Sequence, residues 1–194
     1  MIGGLILAAG ESSRMGRDKA LLTYRGRTFL DTIIQTLRDA GIERIAVVLG
    51  HHAEEIQKAT NLEGVEIVLN SEYRRGQTSS LQGGLRALES PNLEAVVLCL
   101  VDHPAVSATT VRKLTQSFRQ SPAPVVIPTY QGQRGHLVLI GRVVFPALLS
   151  LAPSEGANTI IRSHGDATQF VEVDDPGILL DVDDPETFQQ MQAE

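Results

Sequence analysis

The sequence predicts an α/β fold in which helices cover both faces of a mostly parallel sheet, with an antiparallel strand in the C-terminal half. Up to residue 120, short apolar runs rich in β-branched residues alternate with segments of helical periodicity, as in consecutive βαβ units. The early runs are apolar throughout, which is typical of strands that are covered on both faces. Beyond residue 120 the apolar runs lie closer together, which favours a hairpin over a parallel crossover.

The first strands and helices follow from these patterns. Strands are predicted at GLILAA (4–9), RIAVVLG (44–50), VEIVLN (65–70), EAVVLCLV (94–101), PVVIPTY (124–130) and HLVLIG (136–141). Helices are predicted in DTIIQTLRDAG (31–41), AEEIQKATNL (53–62), SLQGGLRALES (80–90) and SATTVRKLTQSF (107–118). Gly41 is expected to end the first of these helices, and Ser107 to cap the start of the last.

The C-terminal third is predicted to finish the sheet and end in a helix. PVVIPTY and HLVLIG are separated only by QGQRG, so one of the two is expected to run antiparallel. FVEVDD (170–175) and ILLDVDD (178–184) are the closing extended segments, and PETFQQMQ (185–192) is the terminal helix, with Pro185 in its first turn. Because no linker or repeat interrupts the pattern, residues 1–194 are expected to form one domain.

Composition excludes several classes of function. A formal net charge of -6 speaks against a nucleic-acid-binding surface, where clustered basic charge supplies most of the affinity. No apolar run approaches the roughly 20 residues of a membrane span, and the N-terminus does not resemble a signal peptide. The single cysteine, Cys99, lies in an apolar run and is expected to be a buried hydrophobe. These features predict a cytoplasmic protein without nucleic-acid or membrane partners.

The loop after the first strand is the strongest candidate for a ligand site. LILAAGESSRMGRDKALL (5–22) passes from an apolar strand into small and charged residues, and ligands of open α/β sheets lie at the carboxyl ends of strands. Gly10 allows close backbone approach, and the polar side chains that follow are Ser12, Ser13, Arg14, Arg17 and Lys19. This set suits a polyphosphate, although the spacing fits neither a P-loop nor a dinucleotide fingerprint. On composition alone, a solvated surface loop remains an equal alternative.

Several motifs resemble those of one enzyme family. L-A-A-G-x-S-x-R-M-G-x-x-K at residues 7–19 resembles the signature loop of molybdopterin-type nucleotidyltransferases. LNSEYRRGQTSSLQGGL (69–85), VLCLVDHPAV (97–106), GQRGHLVLIGR (132–142) and LLDVDDPETF (179–188) follow in the family's order. Within the family the sequence is most similar to the cytidylyltransferases of the molybdenum cofactor. The resemblance implies a three-layer, Rossmann-like nucleotidyltransferase fold and transfer of CMP from CTP to the phosphate of molybdopterin.

The resemblance also implies a nucleotide site. Its residues are Leu7, Ala8, Ala9, Gly10, Ser12, Ser13, Arg14, Lys19, Asn70, Ser79 and Ser80. Arg14 and Lys19 are expected along the phosphates, with Lys19 stabilising the transition state. Ala9 implies CTP, because its methyl group crowds a space that the guanylyltransferases leave open with glycine. The residues alone instead favour Asn70 as a strand-ending turn former and Ser79 and Ser80 as a helix cap.

A magnesium site is expected at the same edge of the sheet. Asp102 ends an apolar strand there, and Mg²⁺ commonly uses one or two carboxylates together with substrate phosphates. Its alternative role is to cap the helix after Pro104. The family has Gln or Met where this chain has His103, whose role is open.

The second carboxylate of the metal site is expected from LLDVDDP. Asp181 and Asp183 alternate on a predicted strand and share one face. Asp183 is expected to contact the metal and Asp181 to support it, with their order open. Asp183 or Asp184 can alternatively cap the terminal helix.

The acceptor is expected near GQRGH. Arg134 is predicted to bind a terminal phosphate, and His136 to donate to a pterin or phosphate, although His136 can equally be an ordinary hairpin residue. Leu137 replaces the proline of the family's G-H-P. His51 and His52 are expected on the surface.

Two other functions compete with the first. The acceptor can be a sugar or polyol phosphate, since related folds use such substrates. The protein can also be a non-catalytic nucleotide-binding partner in the maturation of a molybdoenzyme. Retention of Arg14, Lys19, Asp102 and Asp183 favours catalysis, because binding alone does not need the metal set.

Overall fold

A mostly parallel β-sheet lies at the centre of the computed structural model, which describes residues 1–152 and 155–192. Its strands are β1 (Ile2–Ala8), β4 (Ile45–Leu49), β5 (Glu66–Leu69), β6 (Ala95–Leu100), β7 (Val125–Tyr130), β8 (Gln133–Arg134), β9 (Val138–Gly141) and β10 (Thr168–Glu172); β2 (Thr23–Tyr24) and β3 (Arg27–Thr28) form a separate small hairpin. The helices are α1 (Phe29–Asp39), α2 (Ala53–Ala59), α3 (Gln77–Leu88), α4 (Ala108–Gln120), α5 (Phe145–Leu149), α6 (Ala157–Ser163) and α7 (Pro185–Gln192).

The strand order confirms the predicted fold class. The sheet runs β10-β7-β9-β6-β1-β4-β5, and β1 pairs in parallel with both β4 and β6. β9 runs antiparallel to its neighbours β6 and β7, as the short connection predicts. The turn itself is only Gln131 and Gly132, whose φ values of 50° and 76° match the mirror-image turns that two-residue hairpins favour.

Strand β1 is buried on both faces because helical layers cover the sheet on each side. Alternate side chains of a strand point to opposite faces. One face carries Ile2, Ile6 and Ala8, which pack with α1, α2 and α4; the other carries Leu5, Leu7 and Ala9, which pack with α3 and α5. This explains why the strand is apolar throughout. Cys99 of β6 is 3% exposed, as predicted, and burial raises its pKa to about 12.

Helix boundaries follow local signals that the sequence displays. Gly41 follows α1 with a φ of 84°, a conformation that costs glycine little, and Ser107 caps α4 by accepting a hydrogen bond from the Thr110 amide. Both predictions are confirmed. None of the helices in the two described ranges is long and apolar enough to cross a membrane.

The prediction of a strand at residues 178–184 is wrong. Residues 176–179 form a short 3-10 turn, and 180–184 join no β-ladder. Val182 is fully buried and its amide donates to the Asp102 carbonyl at 3.0 Å, so the segment crosses the end of β6 instead of pairing along it. The alternation of apolar and acidic residues is therefore real, but it reflects an extended segment lying over the edge of the sheet.

Two adjacent glycines of α3 are expected to respond oppositely to alanine. A Cβ at Gly84 would overlap the buried Leu5 side chain and lie 3.0 Å from Val48, whereas a Cβ at Gly83 would meet only Val68 at 3.6 Å. Gly84→Ala is therefore expected to lower the free energy of unfolding by about 1–3 kcal/mol. Gly83→Ala is expected to raise it by up to about 1 kcal/mol through helix propensity. Urea denaturation measures both, and equal shifts in the two variants would contradict the packing of α3 on β1.

Candidate active site

The loop after β1 is organised around Ser12. Ser12 has a φ of 48°, its carbonyl accepts from the Met15 amide, and its Oγ accepts from the Lys19 amide at 3.1 Å. Met15 is buried in a small apolar cluster with Phe29 and Val182, which anchors the middle of the loop. The Ser12 hydroxyl keeps its own proton available for a ligand because it serves as an acceptor within the loop. The loop therefore has a defined shape that sets the position of Lys19.

A polar pocket of about 230 Å³ opens at the carboxyl ends of β1 and β6. No atom lies within 4 Å of the position where a Gly10 side chain would begin, so the backbone there is open. Of the predicted site residues, this pocket brings together Leu7, Ala8, Ala9, Gly10, Ser12, Lys19, Ser80 and Asp102. An adjoining depression is lined by Ser12, Ser13, Arg14, Lys19 and Asp183. The two concavities share Ser12 and Lys19.

Lys19 joins two carboxylates from distant parts of the chain. Its Nζ lies 3.1 Å from Asp102 Oδ2 and 2.5 Å from Asp183 Oδ1, and the side chain is only 11% exposed. Arg14 Nη1 lies 3.5 Å from Asp183 Oδ2. Burial alone would lower the pKa of Lys19, but the hydrogen bond to Asp183 and the charge of Asp102 outweigh it and raise that pKa. A fixed positive charge therefore stands between the two predicted metal-binding carboxylates.

The structure excludes helix capping by Asp102 and Asp183. Helix α4 begins at Ala108 and is capped by Ser107, well after Asp102. Asp184 caps α7, because its Oδ1 accepts from the Thr187 amide at 2.8 Å, and this hydrogen bond lowers the pKa of Asp184. Asp183 is left to hydrogen-bond Lys19, which lowers the pKa of Asp183 in turn.

His103, whose role the sequence leaves open, lies buried beside Asp102. It is 7% exposed, and its ring packs against His136 with centroids 4.5 Å apart. Burial lowers the pKa of both histidines. Asp181 completes a group in which one donor atom each from Asp102, His103 and Asp181 lie within 4.8 Å of one another. Burial raises the pKa of Asp181, and the charges of Asp102 and Asp183 add to the effect.

Five predicted residues lie outside the two concavities: Asn70, Ser79, Arg134, His136 and Asp181. Asn70 Nδ2 donates to the hydroxyls of both Ser79 and Ser80 at 2.9 Å, and so ties the end of β5 to α3 from behind the pocket. Helix α3 begins at Gln77 after Gly76 without a side-chain cap, so the serine-cap alternative is wrong. Arg134 is exposed and lies over the Phe170 ring at 4.5 Å. His136 contacts His103, which lies next to Asp102, and does not itself line either concavity.

Three polar residues of the pocket lining were not predicted from the sequence. Asp18, Tyr73 and Gln77 all line the pocket. Asp18 directly precedes Lys19, and Tyr73 and Gln77 lie inside the 69–85 motif, within three positions of a predicted residue. Their closeness in sequence to predicted residues is the signal that could have identified them. His52, expected on the surface, has a half-exposed side chain, but its Nδ1 lies 2.7 Å from Asp18 Oδ2.

The Asp18–His52 pair is expected to depend on pH. The hydrogen bond with Asp18 raises the pKa of His52, so the folded protein binds this proton more tightly than the unfolded chain does. The pair therefore stabilises the fold below the unfolded pKa of about 6.5, and the contribution is lost as pH rises through the higher folded value. Asp18→Asn is expected to return the pKa of His52 toward its ordinary value. NMR titration of the imidazole measures this; an unchanged His52 curve in the variant would contradict it.

The mostly parallel sheet thus carries a lysine–carboxylate pocket at the carboxyl ends of its strands. The chain belongs to the family described as the MobA-like NTP transferase domain, whose sequence model matches residues 4–168. This confirms the resemblance inferred from the motifs.

Relatives with different names align along almost the whole chain. Nicotine blue oxidoreductase of Paenarthrobacter nicotinovorans is 33% identical over 98% of this chain and 94% of its own length. Molybdenum cofactor cytidylyltransferase of Escherichia coli K12 is 29% identical over 95% of this chain and 92% of its own length. The crystal structure of Rv0371c from Mycobacterium tuberculosis covers 100% of this chain and 97% of its own, with 29% identity and a TM-score of 0.89. Rv0371c is also known as a complex with manganese, at 27% identity and a TM-score of 0.84, covering 100% of this chain and 98% of its own.

Proposed function

We propose that the protein is a Mg²⁺-dependent cytidylyltransferase that transfers CMP from CTP to the phosphate of molybdopterin. The observation that carries the proposal is the position of Lys19, held between Asp102 and Asp183 where the signature loop meets the end of β6. A cation is favourable between two carboxylates, and a triphosphate needs positive charge at the same place. The likeness to the E. coli cytidylyltransferase supports the choice of nucleotide and acceptor.

The proposed reaction is an in-line displacement at phosphorus. An oxygen of the acceptor phosphate attacks the α-phosphorus of CTP and forms a new P–O bond. The bond from that phosphorus to the oxygen bridging the β-phosphate breaks, and its electron pair leaves with pyrophosphate. A phosphate oxygen is already ionised near neutral pH, so the attack needs no general base. Catalysis then consists of positioning and charge neutralisation.

The chain's own residues fit a hard divalent cation and a triphosphate. Asp102 and Asp183 present carboxylate oxygens, the ligand type that Mg²⁺ prefers. When bound there, Mg²⁺ supplies charge neutralisation on the phosphates. Lys19, which pairs with both carboxylates, lines both concavities and would contact the phosphates from there. Arg14 lies at the open end of the adjoining depression and is placed for the leaving pyrophosphate.

Base selection is assigned to Ala9. Ala9 lines the pocket and is 4% exposed, so its methyl group has little room to move. Ala9→Gly is expected to raise kcat/KM for GTP relative to CTP by about tenfold, the effect of a few lost methyl contacts. Parallel assays with the two nucleotides measure the ratio. Gly10→Ala, at the next position of the loop, is the comparison variant, because it adds a methyl group where Ala9→Gly removes one. An unaltered ratio in Ala9→Gly would remove Ala9 as a selector.

The acceptor is assigned to the side of the pocket where the β7–β8 hairpin lies. His136 is held beside Asp102 by its packing on His103, and it can donate to a pterin or phosphate from there. Arg134 is exposed beyond it and carries a planar guanidinium suited to a phosphate. A molybdoenzyme or its maturation factor is the proposed recipient of the product.

Other functions have weaker support. A sugar or polyol phosphate remains the alternative acceptor, and a purely nucleotide-binding partner is disfavoured by the complete Lys19–Asp102–Asp183 set. The name of the P. nicotinovorans relative suggests redox chemistry. The loop after β1 lacks the G-x-G-x-x-G fingerprint of dinucleotide binding, and its charged groups suit phosphoryl chemistry better.

Pyrophosphate release tests the proposal directly. The protein is incubated with Mg²⁺, each of the four ribonucleoside triphosphates in turn, and molybdopterin with or without molybdate. Release with CTP only when the pterin is present is the expected result. Release with CTP and a sugar phosphate but not with the pterin would overturn the acceptor. Oxidation of a reduced nicotinamide cofactor, without pyrophosphate release under any condition, would overturn the reaction class.

A further inference from the structure

One oxygen of Asp102 is left without a partner. Asp102 Oδ2 pairs with Lys19, whereas Oδ1 is buried and has no hydrogen-bond partner among the residues that the structure describes. A buried, ionised acceptor without a partner is costly, so such atoms generally have a ligand, a water or an ion opposite them. The unpaired oxygen is therefore evidence of a further group on the side of Asp102 away from Lys19.

The nearest donor on that side is an imidazole. His103 Nε2 lies 3.8 Å from Asp102 Oδ1, too far for a hydrogen bond and close enough for both atoms to bind one metal ion. The His103 side chain is only 7% exposed, and the His136 ring packs against it at an interplanar angle of 31°. Within the described residues, its Nδ1 also has no hydrogen-bond partner. Among the described residues, His103 Nδ1 and Asp102 Oδ1 are therefore two buried polar atoms without a hydrogen-bond partner in one cluster.

Asp181 supplies a third donor. One of its carboxylate oxygens lies within 4.8 Å of the donor atoms of Asp102 and His103. Over residues 1–152 and 155–192, Asp181 forms no ion pair with a basic side chain, since Lys19 is engaged by Asp102 and Asp183. Two carboxylates and one imidazole therefore converge on the Oδ1 side of Asp102, whereas Lys19 pairs with its Oδ2.

We propose that Asp102 Oδ1, the His103 imidazole and the Asp181 carboxylate form a second divalent-cation site, selective for Mn²⁺ or Co²⁺ over Mg²⁺. Mg²⁺ prefers an all-oxygen shell and binds imidazole poorly, whereas first-row transition ions accept nitrogen readily. The proposal depends on the proposed function in one respect: the two sites share Asp102. Its Oδ1 belongs to the second site, and its Oδ2 faces the proposed Mg²⁺ site. The second site lies between the nucleotide pocket and His136, so its charge acts on the side assigned to the acceptor.

Electron spin-echo spectroscopy of bound Mn²⁺ tests the site without requiring turnover. The full chain, freed of metal by a chelator, receives one equivalent of Mn²⁺ in the absence of nucleotide, with and without excess Mg²⁺. The wild-type protein is expected to show ¹⁴N modulation from an imidazole ligand, and to keep it against Mg²⁺. His103→Gln is expected to abolish the modulation and to weaken Mn²⁺ binding at this site by at least about tenfold.

Two further variants keep the test decisive. Asp181→Asn alters an exposed side chain, so it is expected to weaken the same signal without the risk to folding that His103→Gln carries. His52→Gln is the matched control, because His51, His52 and Asp18 also bring donor atoms within 4.8 Å of one another. The ¹⁴N signal is expected to persist in that control. Its loss in His52→Gln together with its retention in His103→Gln would place the cation at the other cluster and overturn the proposal.

The outcomes also separate this site from the proposed reaction. Wild-type Mn²⁺ without ¹⁴N modulation would overturn the second site, whatever the result of the pyrophosphate assay with Mg²⁺. Modulation that depends on His103, in a protein that releases no pyrophosphate, would support the site and count against the proposed function.

Discussion

Lys19→Ala is expected to lower the rate of nucleotidyl transfer by about 10²–10³-fold, the loss seen when one preorganised charge-stabilising donor is removed. Lys19 is the basic side chain that contacts both Asp102 and Asp183, and its backbone amide is fixed by Ser12. Truncation removes the ammonium group that the phosphates are expected to receive. Single-turnover assays with saturating CTP measure the loss in the chemical step.

Matched variants separate this effect from a general loss of positive charge. Lys58→Ala removes the same group from the exposed last turn of α2 and is expected to leave the rate unchanged. Circular dichroism melts of both variants are expected to stay close to the wild type, because the Lys19 side chain packs at the edge of the pocket rather than in the core. A folded Lys19→Ala protein with full activity would remove Lys19 from the mechanism.

Asp102→Asn is expected to lower turnover by about 10²-fold or more, because the carboxylate neutralised by Lys19 is also the proposed ligand of the catalytic cation. Asparagine keeps the size of the side chain and removes its charge. The backbone carbonyl of Asp102 still accepts from the Val182 amide, so the crossing segment 180–184 is expected to keep its place. Turnover measured over a range of Mg²⁺ concentrations shows whether the defect lies in cation affinity.

Asp166→Asn is the control for Asp102→Asn, since Asp166 is exposed in the turn before β10. It is expected to behave as the wild type at every Mg²⁺ concentration. A defect in Asp102→Asn that excess Mg²⁺ fully restores would assign Asp102 to cation affinity alone. Full activity at low Mg²⁺ would contradict a cation role for Asp102.

Much of the fold is predictable because burial on both faces leaves a plain pattern. Continuous apolar strands, separated by helical segments, define the parallel part of the sheet, and the short link before HLVLIG defines its antiparallel member. Short elements were missed: α5, α6 and the β2–β3 hairpin are too brief to show a period. In ILLDVDD, by contrast, a strand was predicted that the structure lacks. Alternation of apolar and polar residues indicates extended backbone, but it does not show whether a neighbouring strand pairs with it.

The candidate site was predictable in its members more than in its contacts. The signature loop, Asp102 and Asp183 stand out through spacing and resemblance, and the structure brings them together. Their arrangement around Lys19 links residues that are 83 and 164 positions apart, which local patterns do not encode. The packing of His103 on His136 depends on the same long-range closure, across the ends of two strands.

The reversed direction of β9 lets the chain return from the edge of the sheet without a helical crossover. A parallel crossover returns through a helix, so any change in its length shifts a packed layer. The β7–β8 turn at Gln131 and Gly132 connects neighbouring antiparallel segments directly, and its tip projects past the edge of the sheet where the pocket opens. This hairpin can gain or lose residues in pairs while every helix stays in place. The protein thus has a hairpin whose length can vary at the same edge of the sheet as the loop after β1, whose shape the Ser12 hydrogen bonds fix.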